Sequence, residues 1–217
     1  RDVTLRSVKL IEGAVSIYNA ASERVVQVKN INGELSADSL TGPFRFKGSA
    51  SWAGAAYDLA FATDAPSSDG SFGLKVSAHS DGSPNAYLLV GRVSDLDDKP
   101  SFKGAWTGTL KMPVGDMAAS KPNGEPPLLD LKAEVTADAL GAKFDDITLS
   151  LNNVAEPQMV TGSAVAAWTT PPRLDVKLES KWLDIDRLAG AGQGSASFSK
   201  LKQLTLGLMQ SVAGDSR

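Results

Sequence analysis

His79 is the only histidine of the chain and the first candidate for acid–base chemistry, because an imidazole titrates near neutral pH. A catalytic histidine needs a neighbouring nucleophile that it can activate, and no such pattern surrounds this one. Phe72, Leu74, Val76 and Ala78 recur at every second position, which places His79 on the opposite face of a predicted strand. The pattern therefore favours an ordinary surface histidine.

Paired aspartates are the second candidate for chemistry. Asp184 and Asp186 project from one side if residues 183–186 are extended, and paired carboxylates can carry out acid–base chemistry or bind calcium. Asp186 more simply caps a short helix, although with His79 the two carboxylates define a hydrolase hypothesis. Two further pairs lie beside turn signals and lack the spacing of a calcium loop, namely Asp97–Asp98 and Asp145–Asp146. We therefore predict no catalytic residue, no metal ligand and no cofactor, and interpret the chain as not being an enzyme.

The four tryptophans have two alternative roles. Exposed indole rings could form platforms for sugars, whereas buried ones would pack in a core or at a sheet edge with the indole nitrogen hydrogen-bonded. We favour packing for all four, which are Trp52, Trp106, Trp168 and Trp182.

The composition excludes several classes of function. The net charge of −3 is opposite to the basic stripe that nucleic acids require, and an aromatic content of 6% leaves few platforms for stacking bases. The chain has no cysteine, which excludes thiol catalysis, thiolate metal sites and disulfides. Hydrophobic residues make up 42% and charged residues 22%, as is typical of a folded protein with a sizeable core.

Apolar and polar residues alternate along most of the chain, as in β-strands with one buried and one wet face. Turn signals recur about every ten residues, and no helical pattern separates them, so parallel crossover units are not expected. We expect about a dozen antiparallel strands of roughly 5–7 residues, joined mostly by hairpins. The predicted turns include Glu12–Gly13, Asn32–Gly33, Asp69–Gly70, Asp81–Gly82 and Pro171–Pro172.

The chain divides into four predicted regions. Residues 1–110 form a β-repeat unit, 111–127 a loop rich in proline and glycine, 128–190 a second β-repeat unit, and 191–217 a linker and a C-terminal helix. The two units share a weak internal repeat, because residues 48–50 and 162–164 both read Gly-Ser-Ala. The helix is predicted from apolar residues at helical spacing, Leu201, Leu204, Leu208 and Val212.

Three stretches resemble the middle of AsmA-family proteins of Gram-negative bacteria. The first is residues 32–44, Asn-Gly-Glu-Leu-Ser-Ala-Asp-Ser-Leu-Thr-Gly-Pro-Phe, followed by Phe46-Lys47-Gly48. The second is residues 91–93, Gly-Arg-Val, with 100–104, Pro-Ser-Phe-Lys-Gly. The third is residues 183–188, Leu-Asp-Ile-Asp-Arg-Leu, which is similar to the end-of-repeat signature of that family. The resemblance covers most of residues 1–190.

The resemblance implies a location and a function. AsmA-like proteins are anchored in the inner membrane by an N-terminal helix, reach into the periplasm and are associated with outer-membrane biogenesis. No stretch of this chain approaches the roughly 20 apolar residues of a membrane helix, so the resemblance implies a periplasmic segment whose anchor lies elsewhere in a longer chain. Its expected partners are phospholipid or another lipid, with other envelope proteins as candidates. The family offers no catalytic motif to transfer.

The expected fold is mainly β, and two architectures remain open. In the first, which the resemblance implies, a long curved antiparallel sheet of hairpin repeats forms an open groove, with a C-terminal helix. In the second, a closed β-sandwich or jelly roll covers the apolar face with another sheet and binds protein or glycan, or acts as a scaffold. The alternation of apolar and polar residues is the same in both architectures. The predicted groove-lining residues are apolar alternators: Leu59, Phe61, Val135, Leu149, Val176 and Leu178.

Overall fold

The computed structural model describes residues 5–19, 24–52, 55–111, 128–152, 158–169 and 171–180. The chain is mainly β, and the described residues form eleven strands joined in a meander. The strands are β1 (Leu5–Asn19), β2 (Arg24–Ala37), β3 (Phe44–Trp52), β4 (Ala55–Thr63), β5 (Phe72–Ser80), β6 (Ala86–Ser94), β7 (Ser101–Lys111), β8 (Leu128–Asp138), β9 (Gly141–Asn152), β10 (Gln158–Ala167) and β11 (Arg173–Glu179).

All strands belong to one antiparallel sheet, in which each strand pairs with the next one along the chain. The order runs from β1 to β11 without a crossover, and these two strands lie at opposite edges, so the sheet is open. The expectation of antiparallel hairpins is therefore confirmed. The sheet continues across the two predicted β-repeat units, because β7 and β8 pair along their whole lengths on either side of residues 112–127.

A closed sandwich would need a second sheet packed on the first. Among the described strands there is only one sheet, and extensive contacts join only neighbouring strands. Residues 181–217 lie outside the described part of the chain, and with them the predicted linker and C-terminal helix. No helix in the described ranges has the length and apolarity needed to cross a membrane.

Two predicted turns are wrong, because the strands pass straight through them. Glu12–Gly13 lies inside β1 and Asn32–Gly33 inside β2, where the register shifts and the strands are bulged. Glu12 and Asn30 absorb the extra residues with φ angles of 51°. The amide of Asn32 connects the two irregularities, since its Oδ1 accepts from the Glu12 N–H at 2.9 Å and its Nδ2 donates to the Asn30 carbonyl at 2.9 Å.

The bulges also explain why β1 and β2 are the longest strands. β1 has 15 residues and β2 has 14, and the shortest strand, β11, has 7. A turn dipeptide ends a strand only when the chain reverses there, whereas a bulge lets the same residues continue the ladder. The predicted turns at Asp69–Gly70, Asp81–Gly82 and Pro171–Pro172 do lie between strands.

Candidate functional site

The register of the sheet gathers large apolar side chains into one continuous face. Phe46 lies opposite Phe61, which lies opposite Val76, and the row continues through Leu89 and Trp106. Because side chains alternate between the two sides of a strand, every second residue of each strand joins the same side. We call the side that bears this row the apolar face and the other side the polar face.

The charged side chains of β3 to β11 all project from the polar face, apart from Asp146, whose φ of 49° places it at a bulge. On the apolar face these nine strands carry no charged residue. The charged residues of the polar face are Arg45, Lys47, Asp58, Lys75, Arg92, Lys103, Lys111, Asp130, Lys132, Glu134, Asp138, Lys143, Asp145, Arg173, Asp175, Lys177 and Glu179.

The buried hydrophobic residues lie on the apolar face, yet the face is only partly covered. In the described part of the chain they are Ala37, Phe46, Ala50, Ala133, Val135, Ala142, Ile147, Leu151 and Ala164. Ala37 is 1% exposed, but no larger described side chain falls below 2%, and Val176 and Leu178 are 44% and 46% exposed. A single-layer sheet produces this pattern, because apolar side chains are shielded by their neighbours but by no second layer.

Aromatic rings on the apolar face reach across an intervening strand. Tyr57 of β4 and Tyr87 of β6 have ring centroids 6.4 Å apart, and Trp106 of β7 and Phe144 of β9 have centroids 5.9 Å apart. Two strand spacings amount to about 9.6 Å, so the rings of each pair lean toward each other above the strand between them. The small side chain of Ala133, opposite Trp106, leaves room for the second pair and is itself only 6% exposed.

Two glycine pairs lie beneath phenylalanine rings. Gly91 and Gly104 face each other, and a Cβ on Gly104 would meet the Gly91 Cα at 2.6 Å and Phe102 Cζ at 2.8 Å. Gly33 and Gly48 form the equivalent pair, in which a Cβ on Gly33 would meet the Phe46 ring at 2.8 Å. The rings therefore occupy the space that side chains would fill, and the strands approach closely beneath them.

The six residues predicted to line a groove all lie on the apolar face. Leu59 and Phe61 are half-buried on β4, and Leu149 is half-buried on β9. Val135 is 6% exposed, because it lies between Gly104 and Phe144 in the row of cross-strand neighbours. Val176 and Leu178 are the most exposed of the six and lie on the edge strand β11.

Sequence reasoning missed Phe144 and its contact with Trp106 on this face. Trp106 and Phe144 meet across β8, and no local pattern connects two residues 38 positions apart. The packing role predicted for tryptophan agrees with the placement of Trp106. Trp168 is half-buried beside the turn before β11, where its backbone N–H donates to the Leu140 carbonyl at 2.8 Å. The side chain of Trp52 and the whole of Trp182 lie outside the described part of the chain.

The catalytic candidates do not form a catalytic arrangement in the described residues. His79 is exposed on the polar face, in a row where Asp58 lies between Ser49 and His79. A nucleophile–histidine–carboxylate relay needs the imidazole in the middle, so this order does not provide one. Asp184 and Asp186 lie outside the described ranges. No group of three or more residues of metal-ligating type that could hold a metal ion occurs in the described part of the chain.

Polar side chains on the polar face are occupied with local hydrogen bonds. Asp130 accepts from the Thr109 hydroxyl at 2.7 Å and from the Asn152 amide at 2.5 Å, which ties together β7, β8 and β9. In the turn before β5, the buried hydroxyl of Ser71 donates to Asp69 at 2.7 Å and accepts from Arg92 at 2.6 Å. These contacts stabilise strands and turns.

Comparison of the chain with protein-family models, curated proteins and solved structures found no match. The resemblance to the AsmA family therefore stays a hypothesis that rests on the sequence motifs, and the geometry of the sheet is the independent basis for function.

Proposed function

We propose that this chain is a segment of a periplasmic protein of outer-membrane biogenesis, and that its apolar face shields the acyl chains of phospholipid along a groove. The periplasmic location, the anchor in the inner membrane and the association with outer-membrane biogenesis come from the AsmA resemblance alone. The lipid-shielding role is also supported by two features of the sheet, its separation of charged from apolar side chains and its bulges.

The main support for the proposal is that charged side chains lie on one face of the sheet and are absent from the other over β3 to β11. Over β3 to β11 the polar face holds all the charged side chains of the regular ladder, and the apolar face holds none while remaining partly exposed. Soluble proteins rarely leave a large contiguous apolar surface in water, and such surfaces mark sites for lipid or protein. An alkyl chain laid on this face would gain about 0.8 kcal/mol per buried methylene group.

Bulges and glycines in the strands also support the curved shape that a groove requires. Sheets curve where bulges and glycines occur, and this sheet has register shifts in the β1–β2, β2–β3, β8–β9 and β9–β10 pairings. Curvature toward the apolar face would explain why aromatic rings two strands apart come within contact distance. A groove of this kind would run across the strands, with each strand adding about 4.8 Å to its length.

Lipid analysis of the purified chain tests the proposal. The protein is exported to the periplasm, purified without detergent and extracted with organic solvent, and bound species are identified by mass spectrometry. We expect near-stoichiometric phospholipid. A stable protein that carries no lipid would contradict the proposal and favour the alternative, a module that binds protein or glycan.

Matched variants connect bound lipid to the apolar face. Val176→Asp with Leu178→Asp places charge on that face at side chains that are 44% and 46% exposed. Val90→Asp with Val165→Asp places the same charge on the polar face, at side chains that are also 44% and 46% exposed. We expect the first pair to lose most bound lipid and the second to keep it, with unchanged far-ultraviolet circular dichroism in both. Equal lipid content in the two pairs would contradict the assignment of the face.

A further inference from the structure

The charged residues of β11 alternate in sign along the strand. Its polar face carries a cation, an anion, a cation and an anion in chain order, and its apolar face carries three aliphatic residues. All four charged side chains are exposed, and among the described strands only β10 pairs with β11. The charged residues are Arg173, Asp175, Lys177 and Glu179, and the aliphatic residues are Leu174, Val176 and Leu178.

The neighbouring strand does not balance these charges. Arg173 and Asp175 form an ion pair along β11 at 2.9 Å, but their side chains are 74% and 60% exposed, so this pair contributes little to stability. Lys177 and Glu179 form no ion pair within the described residues. The residues of β10 opposite the four charged positions are all uncharged, namely Ala167, Val165, Ser163 and Thr161.

The sequence of β11 is complementary to itself in the antiparallel direction. When two copies of β11 pair with Val176 opposite Val176, Arg173 lies opposite the second copy's Glu179, and Asp175 lies opposite its Lys177. On the apolar face, Leu174 then lies opposite the second copy's Leu178. Opposite charges and aliphatic side chains that face each other across two antiparallel strands stabilise the pairing.

Other arrangements of the two strands are disfavoured. A shift of two residues places Asp175 opposite Asp175 in one direction and Lys177 opposite Lys177 in the other. A shift of one residue places aliphatic residues opposite charged ones. Parallel pairing through the same edge would join the polar face of one copy to the apolar face of the other. The charge pattern therefore selects one register, as is expected of an edge strand that pairs specifically.

We propose that two copies of this chain associate through β11 into one continuous antiparallel sheet with a two-fold axis at Val176. The pairing is isologous, so it closes after two copies. Because the axis is perpendicular to the sheet, both apolar faces lie on the same side. The second copy supplies ladder hydrogen bonds and covers Val176 and Leu178, which are 44% and 46% exposed. The dimer does not depend on lipid, but together with the proposed function it would double the length of the groove.

Sedimentation velocity of the 217-residue chain between about 1 and about 200 μM tests the dimer. We expect a monomer–dimer equilibrium with a Kd in the tens of micromolar, because a single strand pair is a small interface. In the dilute monomer the amides of β11 exchange quickly, as in any edge strand, and dimerisation should slow their exchange selectively. A chain that stays monomeric throughout, or that forms open-ended oligomers, would overturn the proposal.

Charge exchange within β11 tests the register. Lys177→Glu and Asp175→Lys each place like charges opposite each other at two symmetry-related positions, so each should weaken its own homodimer by about tenfold or more. An equimolar mixture of the two variants should dimerise like the parent, because every charge then faces an opposite charge again. Both substitutions lie on the polar face and leave the apolar residues intact.

The matched controls make the same charge changes in the middle of the sheet. Lys132→Glu and Glu134→Lys lie on the polar face of β8, at exposed side chains, and each should dimerise like the parent. Homodimers of the two β11 variants that are as tight as the parent, or a mixture of them that fails to dimerise, would overturn the pairing of β11 with itself.

Discussion

The rings of Trp106 and Phe144 pack with centroids 5.9 Å apart, although the whole of β8 lies between their strands. This contact depends on the small side chain of Ala133 beneath them and on the lean of both rings toward β8. The pair covers Ala133 and borders the cluster of Ala133, Ile147 and Ala164, against which Phe144 also packs. It is therefore a link between strands that do not share a hydrogen bond.

Removing either ring should destabilise the sheet, and the two losses should overlap. We expect Trp106→Ala and Phe144→Ala each to lower the free energy of unfolding by about 2–3 kcal/mol, because both rings are half-buried. The double variant should lose about 1 kcal/mol less than the sum, which is the coupling typical of an aromatic pair. Urea unfolding followed by circular dichroism measures this, with Thr107→Ala on the polar face as a near-neutral control. Strictly additive losses would contradict the contact.

The glycine pair of β6 and β7 should tolerate no side chain. A Cβ at position 104 would meet the Val90 carbonyl oxygen and the Gly91 Cα, and backbone atoms cannot move aside as a flexible side chain can. We expect Gly104→Ala to lower the free energy of unfolding by more than about 2 kcal/mol. Gly108→Ala is the control on the same strand and face, since its Cβ would meet nothing closer than Tyr87 at 3.4 Å. Equal losses in the two variants would contradict the close approach.

The turn before β5 should contribute a pH dependence. The hydroxyl and N–H of Ser71 donate to Asp69 and lower the pKa of its carboxyl group below the ordinary 3.8. Because the pKa is lower in the folded state, the contribution to stability is present above pH 3.8 and is lost as the pH falls through the folded pKa. Ser71→Ala should move the pKa of Asp69 back toward the ordinary value. Carboxyl-detected NMR titration measures the shift, and an unchanged pKa of Asp69 would contradict the assigned cause.

Protection of backbone amides should fall from the centre of the sheet to its edges. β7 pairs on both sides, whereas β11 pairs only with β10 among the described strands and carries mostly exposed side chains. Edge strands open with little loss of buried surface, so their hydrogen-bonded amides exchange faster. Native-state hydrogen exchange should therefore show the amides of Leu174–Leu178 exchanging well before those of residues 104–107. Uniform protection across the eleven strands would contradict this expectation and point to opening of the sheet as a single unit.

Much of the fold follows from local alternation. Residues 131–135 and 174–178 lie on the faces that their period of two predicts, and the meander follows from the frequent turn signals. The strand lengths did not follow, because Asn32–Gly33 has the composition of a turn but continues β2. The difference is caused by long-range contacts: Gly33 lies against Gly48 and the Phe46 ring, and Asn32 bonds to β1. Such partners have no local signature.

The sequence predicted which residues share the apolar face, but not how exposed each of them is or which rings meet. Period-two alternation identifies which residues share a face, and all six predicted lining residues do share one. Their order of exposure, from Val135 at 6% to Leu178 at 46%, depends on the position of each strand in the sheet and on rings from other strands. The convergence of Tyr57 and Tyr87 likewise requires the register of three strands. Neither the exposure of these residues nor the contact between the two rings can be predicted from sequence spacing alone.

The strict pairing of each strand with its chain neighbour makes the size of this protein adjustable. A hairpin inserted at any exposed turn, such as residues 81–85, would pair with the strands on either side and leave the remaining ladder unchanged. Each added hairpin would extend the apolar surface by about 9.6 Å, or two strand spacings, and each deletion would shorten it by the same step. The number of hairpins in the chain therefore sets the length of the apolar surface.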